Sequence, residues 1–242
     1  ETLAAAVPHL LPRVRWLDRL PPAPLQGVIV GNEVLDALVV ERFAIRAGRV
    51  MTIGVAAGSG ERAFVLAERP APPALEQAVR GLEQELGRGL PDGYESELSL
   101  GLPQWLDSVA AALQRGVLLL VDYGLPRREL YAAERTRGTL LCHFRHRFHD
   151  DALLRVGLQD VTAWVDFTLV ATVAQEAGLD VAGYTTQAHF LIGSGLGEFV
   201  ADVAGLDLVE RVNLSRQAMM LTLPGEMGER FKAIALARDF ES

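Results

Sequence analysis

Two short apolar runs without a polar face stand out in the hydrophobic pattern of the chain. Val28–Val30 and Val117–Val121 are hydrophobic at every position, which is typical of strands in a parallel sheet that is covered on both faces. The first run leads through a glycine into Asn32 and Glu33, and the second leads directly into Asp122. Because ligands of open α/β sheets bind at the carboxyl ends of the strands, the pattern predicts a functional site where these runs end.

Helical periodicity alternates with further predicted strands. The predicted helices cover Ala74–Leu86, Trp105–Gln114, Phe167–Ala177 and residues 197–211, and the other predicted core strands cover Arg13–Leu17, Thr186–Ile192 and Gln217–Leu223. Such alternation predicts an α/β fold with a mostly parallel sheet. The strand pattern near the C-terminus predicts an antiparallel edge of this sheet.

After residue 40 the hydrophobic pattern changes to the two-residue period that is typical of short antiparallel strands. Alternating pieces between Arg42 and Leu66 are separated by Ala47-Gly48 and by a second glycine-containing turn, which predicts a β-meander. We therefore predict that residues 41–103 form an inserted α+β subdomain and that residues 1–40 and 104–242 form the core. Residues 124–163 have no strong period, and a connection of this length inside a domain is typically functional or disordered.

Composition excludes several classes of function. The chain has 242 residues, half of them hydrophobic, and its net charge of −8 argues against a nucleic-acid-binding surface. The single cysteine, Cys142, excludes an intramolecular disulfide, which suits a reducing compartment. No apolar run reaches the about 18 residues of a membrane-spanning helix, and no signal-peptide pattern occurs at the start. Because residue 1 is not Met, we expect it to be a cut point in a longer chain.

Acidic residues supply the candidate chemistry at the strand ends. Glu33 and Asp36 are three residues apart, so they share a face if this segment is helical. Their carboxylates could bind a cationic nitrogen or a ribose hydroxyl, and the alternative is ordinary helix-capping chemistry. Asp122 has the same two interpretations, whereas Tyr123 beside it is more typical of packing.

A second polar cluster lies in the long connection. It consists of Cys142, His143, His146 and His149. The spacing does not match paired zinc ligands, and Arg145 and Arg147 disfavour a dication, so we predict no metal site. Contact with an anion or substrate and a solvated loop both remain open here. The glycine run at 193–197 lacks the dinucleotide fingerprint, which disfavours a nicotinamide-dependent dehydrogenase.

Seven sequence blocks occur in one order along residues 27–234. They are NEVLDAL at 32–38, VERF at 40–43, VDYG at 121–124, RTRGTLLCHFRH at 135–146, GLQDVTAWVDF at 157–167, GYTTQAHFL at 183–191 and MGERFKAI at 227–234. Together they resemble the MidA-like family of S-adenosylmethionine-dependent methyltransferases, whose mitochondrial member is a complex I assembly factor that methylates a protein arginine. Val39 stands where the family usually has proline.

The resemblance implies a Rossmann-like, seven-stranded methyltransferase sheet. It also implies that the glycine-rich cofactor loop and the first strands precede residue 1, so this chain is expected to hold part of the cofactor pocket. The implied catalytic residues are Glu33, Asp36 and Asp122. The residues implied to contact the cofactor are Trp16, Leu17, Asn32 and Glu33, with the first two at the end of the third family strand. The residues implied to cover the substrate are Tyr123, Arg135, Gly138, Thr139, His146, Gln159, Asp160 and Asp166.

We therefore predict methyl transfer from S-adenosylmethionine to a protein side-chain nitrogen, with arginine as the expected acceptor. Because the sulfonium is an activated donor, the protein mainly supplies orientation and charge. The alternative is a non-catalytic assembly or interaction protein with the same fold. The expected partner is a protein substrate, such as a respiratory-chain subunit, without nucleic acid or membrane insertion; a homodimer is left open. The expected location is the bacterial cytoplasm, or the mitochondrial matrix in a eukaryote.

Overall fold

A computed structural model of the chain describes residues 2–21, 23–59, 63–145, 147–203 and 205–240. The strands are β1 (Leu25–Asn32), β2 (Glu41–Arg46), β3 (Arg49–Ala57), β4 (Phe64–Pro70), β5 (Glu95–Leu98), β6 (Leu113–Leu125), β7 (Leu141–Phe144), β8 (Arg147–His149), β9 (Asp160–Thr162), β10 (Val165–Asp166), β11 (Asp180–Thr186) and β12 (Phe231–Arg238). The helices are α1 (Thr2–Ala6), α2 (Pro73–Leu86), α3 (Leu102–Ala111), α4 (Arg127–Leu130), α5 (Phe167–Glu176), α6 (Gln187–Gly193), α7 (Leu196–Ala201), α8 (Leu208–Thr222) and α9 (Met227–Arg230), and a 3-10 helix covers Pro8–Arg13.

The main sheet has the strand order β1–β6–β12–β11, and β10 pairs with the end of β6. β1 and β10 are parallel to β6, β12 is antiparallel to β6, and β11 is antiparallel to β12. Consequently β1, β6, β10 and β11 run in one direction, and β12 runs in the other. The predicted α/β class, mostly parallel with an antiparallel C-terminal part, is confirmed.

One face of the main sheet carries the larger hydrophobic core. α3 and α5 pack on each other and on β6, where Leu118 and Leu120 are fully buried. The side chains of Val28 and Val30 on β1 are exposed among the described residues, so this chain does not itself supply the expected cover on both faces of the strand. Ile29 between them is partly buried against the core, as expected when one face is covered.

A second sheet, in the order β4–β3–β2–β5, lies in the segment predicted to be inserted. Its strands are antiparallel, and α2 packs Leu75 and Val79 into a second core that includes Phe43 and Tyr94. The predicted β-meander and helix are confirmed, and the division into subdomains stays a prediction. Arg127 connects the inserted segment to the segment around the main sheet, because it donates to Asp166 at 2.7 Å and also pairs with Glu85 of α2.

The long connection at 124–163 contains α4 and a small antiparallel sheet in the order β8–β7–β9. Its strands are only three or four residues long. Short strands with few apolar residues give no clear alternation, which explains why the sequence pattern did not predict them.

Two predicted strands near the C-terminus are helical. Most of Thr186–Ile192 forms α6, because the Thr186 hydroxyl accepts a hydrogen bond from the His189 amide and caps the helix. Gln217–Leu223 lies almost entirely in α8, which begins at the capping box of Asp207 and Glu210. Within the part of the chain that the structure describes, no helix is long and apolar enough to cross a membrane.

The other errors concern the two ends of the chain. Arg13–Leu17 was predicted as a strand, but the 3-10 helix ends at Arg13 and residues 14–17 have no regular structure. The last strand, β12, was not predicted, although Ile234 and Leu236 are fully buried between its neighbours β6 and β11. Alanine occupies three of its eight positions, and alanine has low strand propensity, so tertiary burial decides this strand.

A cleft at the carboxyl ends of two parallel strands

The acid that follows β1 and the acid near the end of β6 lie side by side, but β6 continues past Asp122 to Leu125, so the predicted end of this strand at Val121 is wrong. Asn32 at the end of β1 pairs with Val121 of β6, and the amide of Glu33 donates to the Val121 carbonyl at 2.9 Å. Glu33 and Asp122 therefore meet at one edge of the sheet, as the sequence predicted. Their catalytic roles stay predictions, because proximity alone does not assign them.

Asp122 uses its carboxylate to hold the backbone beyond β1. One oxygen accepts hydrogen bonds from the amides of Val34, Leu35 and Asp36 at 3.1, 2.8 and 3.3 Å, and the other accepts from Tyr123 at 3.0 Å. The side chain is 1% exposed. Burial raises the pKa of Asp122 to about 6, with a further contribution from the charge of Asp36, while the amides oppose this shift.

Asp122 is accordingly not on the surface of the cleft, and its geometry favours positioning over the predicted catalytic contact. The turn that it holds contains Glu33 in the left-handed region, with φ of 51°. This conformation is uncommon for residues other than glycine, and it persists only where neighbours fix it. The exposed Glu33 carboxylate accepts a hydrogen bond from the Asn32 amide group at 3.2 Å.

Asp36 differs from Asp122 in its hydrogen bonding. It is 5% exposed, and its Oδ1 atom has no hydrogen-bond partner among the described residues. The Tyr123 hydroxyl, near Asp36 and Thr162, also lacks a partner with good geometry in the described part of the chain. Burial raises the pKa of Tyr123 above its usual value, and Asp36 contributes to the rise. Unpaired buried polar atoms are costly, so a ligand is one physical reason for keeping them.

Both side chains face a cleft of about 780 Å³. Its lining comes from the end of β1, the end of β6, the β7–β9 sheet and the start of β12, and the residues are Glu33, Asp36, Ala37, Tyr123, Leu141, His143, Gln159, Asp160, Val161, Thr162, Trp164, Arg230 and Phe231. The volume suits a small ligand or one side chain with its flanking backbone. Five predicted site residues line it: Glu33, Asp36, Tyr123, Gln159 and Asp160.

The connection wall of the cleft, which we define as its lining residues between Leu141 and Trp164, is joined to the turn after β1 by one backbone hydrogen bond and to Thr139 by a second hydrogen bond. The Ala163 amide donates to the Asp36 carbonyl at 3.2 Å, and the Trp164 amide donates to the Thr139 hydroxyl at 3.0 Å. Gln159 donates to the Ala152 carbonyl at 2.9 Å within the connection. These bonds place a polar and aromatic wall opposite the acidic strand ends.

Other predicted site residues lie outside the cleft lining. Trp16 and Leu17 are 81% and 62% exposed and belong to no strand, so their contact with adenine stays a prediction. Arg135 lies over the Trp164 ring, 5.2 Å from its centroid. Asp166 caps α5 and pairs with Arg127, which makes it a structural residue. His146 falls outside the described residues.

The sequence prediction missed part of the lining, chiefly His143, Trp164, Arg230 and Phe231. All four lie inside blocks that carried the family resemblance, RTRGTLLCHFRH, GLQDVTAWVDF and MGERFKAI, so a signal was present. Phe231 packs on Tyr123 with ring centroids 5.3 Å apart. His143 had been considered only as a possible metal ligand, and the described residues contain no group of three side chains able to hold a metal ion.

The charges around the cleft suit a cationic ligand. Glu33, Asp36 and Asp160 supply carboxylates, and Arg230 is a basic residue at its rim. Tyr123, Trp164 and Phe231 supply aromatic rings, which attract cations through their faces. The arrangement can bind a positively charged side chain and shield it from water.

Comparison with known proteins gives consistent results. Residues 1–185 match the model of a family described as S-adenosyl-L-methionine-dependent methyltransferases. The chain is 30% identical over 233 residues to the protein arginine methyltransferase NDUFAF7 homolog, mitochondrial, of Drosophila melanogaster, covering 91% of this chain and 49% of that protein.

Two crystal structures of Burkholderia thailandensis proteins from one superfamily are also similar to this chain. One contains S-adenosyl-homocysteine and superposes with a TM-score of 0.91 at 38% identity, covering all of this chain and 60% of that one. The other, a native structure, gives a TM-score of 0.90 at 38% identity and covers 63% of that chain. The chain thus spans about half to three fifths of the length of these relatives.

Proposed function

This chain belongs to the S-adenosyl-L-methionine-dependent methyltransferase family that its first 185 residues match, and we propose that it forms the acceptor side of an enzyme that methylates a protein side-chain nitrogen, that of arginine. Family membership confirms the predicted resemblance, fold and cofactor class. The acceptor is the proposed part, supported by the arginine methyltransferase named among the relatives. A respiratory-chain acceptor, a role in complex I assembly and the location of the protein rest on the resemblance alone.

The observation that carries the proposal is the buried Asp36 carboxylate in the wall of the cleft, which lies near the Tyr123 hydroxyl and whose Oδ1 atom has no hydrogen bond of good geometry among the described residues. A carboxylate this deeply buried is stable as an anion only with a hydrogen-bonding or cationic partner. A guanidinium group offers several donors in one plane and keeps its charge on burial. It therefore satisfies Asp36 better than a neutral side chain does.

Residues at the end of β1 fit part of the cofactor. The exposed carboxylate of Glu33 suits its ammonium and sulfonium charges, and the exposed Asn32 amide offers a donor and an acceptor for its polar groups. We assign Asn32 and Glu33 to cofactor binding on this basis. When bound, S-adenosylmethionine supplies an activated methyl group.

The chain's own residues then perform three tasks. Asp36 orients the acceptor nitrogen, Trp164 and Phe231 cover it against water, and a carboxylate receives the proton that the nitrogen releases as it is alkylated. The proton must leave because an alkylated guanidinium would otherwise carry two charges, and arginine is not deprotonated beforehand. Oδ1 of Asp36, which accepts no hydrogen bond of good geometry from the described residues, can accept it.

The test uses the longest natural chain that contains these residues. It is incubated with methyl-labelled S-adenosylmethionine and with protein extract from cells that lack the gene. We expect Asp36→Asn to reduce labelling by about 100-fold or more, because one preorganised electrostatic contact contributes this much to catalysis. Glu176→Gln, which removes an exposed acid from α5, is the matched control and should label normally.

Amino-acid analysis of the labelled protein identifies the product. Methylarginine supports the proposal, and methyllysine would refute the arginine assignment. Equal labelling by Asp36→Asn and the parent protein would refute the role of Asp36.

A non-catalytic interaction protein is the second candidate. It is favoured by α8, which has no buried residue and exposes Leu208, Val209 and Met220. Exposed apolar patches on a soluble domain often mark partner surfaces. A titration of the same natural chain with S-adenosylmethionine separates the candidates, since the absence of saturable binding would favour this one.

A further inference from the structure

A chain of hydrogen bonds runs from the inserted sheet to the cleft. Glu97 of β5 is 6% exposed, and its Oε2 atom accepts hydrogen bonds from the Thr139 amide at 2.9 Å and from the Thr139 hydroxyl at 3.4 Å. The same hydroxyl accepts a hydrogen bond from the Trp164 amide at 3.0 Å. Trp164 lines the cleft. Three residues that are distant in sequence are thereby joined into one unit.

The backbone at Gly138 packs closely against the Glu97 carboxylate. A Cβ atom on Gly138 would lie 2.3 Å from Oε1 of Glu97, and Gly138 has φ of +68°, which favours glycine. The hydroxyl of buried Tyr131 donates to the Glu97 carbonyl at 3.0 Å. Glu97 is therefore held through its main chain and its side chain, and its position is defined.

Thr139 can bond to Glu97 and to Trp164 at the same time because its hydroxyl group is both a donor and an acceptor. It has one proton and two lone pairs. When the proton points to the carboxylate of Glu97, a lone pair is directed to the Trp164 amide. Burial raises the pKa of Glu97, and the Thr139 amide opposes the shift, so the contact also favours the ionised acceptor.

We propose that Glu97 is a positioning residue that fixes Trp164 in the cleft wall through Thr139. The inserted sheet thus contributes to recognition of the acceptor side chain without touching it. The effect on the acceptor rests on the proposed function, whereas the placement of Trp164 does not. Arg135 lies four residues before Thr139 in the same segment, and its guanidinium lies over the indole ring of Trp164.

Fluorine NMR tests the placement directly. In the longest natural chain that contains these residues, labelling with 5-fluorotryptophan gives one signal for each tryptophan, and single Trp→Phe variants assign those of Trp16, Trp105 and Trp164. We expect Thr139→Val, an isosteric change, to shift the Trp164 signal by more than its linewidth and to leave those of Trp16 and Trp105 in place. Thr139→Ser keeps the hydroxyl and should restore the parent signal. Glu97→Ala should move the signal in the same way, and Glu97→Gln should move it less because an amide oxygen still accepts a hydrogen bond.

Steady-state kinetics of the longest natural chain tests the effect on the acceptor. Thr139→Val should raise the KM for the acceptor about fivefold, which is the usual contribution of one hydrogen bond to binding affinity. It should leave kcat within about twofold. Thr139→Ser should behave as the parent. A merely structural defect would lower the amount of active protein, and so the apparent kcat, without this selective change in KM.

An unmoved Trp164 signal in Thr139→Val would overturn the proposal, whatever the enzyme activity. A moved signal with unchanged KM would overturn the link to the acceptor. A moved signal in a protein without any methyl transfer would uphold the placement and count against the proposed function, so the two failures are distinguishable.

Discussion

The two walls of the cleft are built in different ways. The strand-end wall, with Glu33, Asp36 and Tyr123, lies at the ends of long parallel strands, and the buried carboxylate of Asp122 fixes the turn after β1 through three backbone amides. The connection wall, Leu141 to Trp164, rests on strands of three or four residues and on single hydrogen bonds such as that from Trp164 to Thr139. Acidic groups concentrate on the first wall and polar and aromatic groups on the second.

Under the proposed function, this difference separates two tasks. A charge acts best in catalysis when its position is fixed in advance, and the strand-end wall supplies that fixity. A wall that covers a protein substrate benefits from adjustment, and elements with few buried contacts open at lower free energy. The comparison therefore predicts large energetic effects for changes that release the strand-end wall and smaller, local effects elsewhere.

The largest effect is expected from Asp122→Ala. The change leaves the amides of Val34, Leu35 and Asp36 without their acceptor, and each unpaired buried amide costs about 1–3 kcal/mol. We expect the free energy of unfolding to fall by about 4 kcal/mol, allowing for partial relaxation. Urea denaturation measures it, and a loss of less than about 1 kcal/mol would show that the turn does not depend on Asp122.

The pH dependence of the same residue gives the next largest effect. Its pKa is raised to about 6 from 3.8, so between these values the folded protein binds more protons than the unfolded one. Stability then decreases as pH rises from about 4 to 6, by up to about 3 kcal/mol, since each pKa unit is worth about 1.4 kcal/mol. Denaturation of the parent and of Asp122→Asn across this range isolates the contribution, and parallel curves would contradict it.

A change in the connection segment should cost less. Gly138→Ala places a Cβ 2.3 Å from Glu97 Oε1 at a positive φ, and we expect a loss of about 2 kcal/mol. Gly157→Ala is the matched control, because its φ of +77° is similar but no atom lies within 4 Å of the added Cβ. Thermal or urea denaturation should rank the two, and equal losses would mean that contact with Glu97 adds nothing.

Glu33→Gln should have the smallest effect on stability. The carboxylate is exposed and accepts one hydrogen bond from Asn32, so we expect a change within about 0.5 kcal/mol. Methyl transfer should nevertheless decrease, because a charge beside the cofactor is lost. Stability and labelling measured on one preparation test both parts, and unchanged labelling would remove Glu33 from the proposed site.

Much of the strand-end wall could be predicted from the sequence. The apolar runs before Glu33 and Asp122 gave the strands, and the parallel pairing of such runs placed their ends together. The connection wall could not be predicted in this way, because its strands are too short to show a period. Its aromatic residue Trp164 came to the cleft through contacts with residues far away in sequence.

The sequence by itself determined the α/β class, the β-meander, the helix at Phe167–Ala177 and the family, since these depend on local pattern and on ordered motifs. Only the tertiary structure decided how each acid is hydrogen-bonded. Asp36 and Asp122 are both buried aspartates beside the same turn, yet among the described residues Asp36 Oδ1 has no hydrogen-bond partner of good geometry, whereas the Asp122 carboxylate accepts from backbone amides. The physical reason is that burial and hydrogen-bond partners are set by the packing of distant segments, and the charge of a carboxylate takes its function from them.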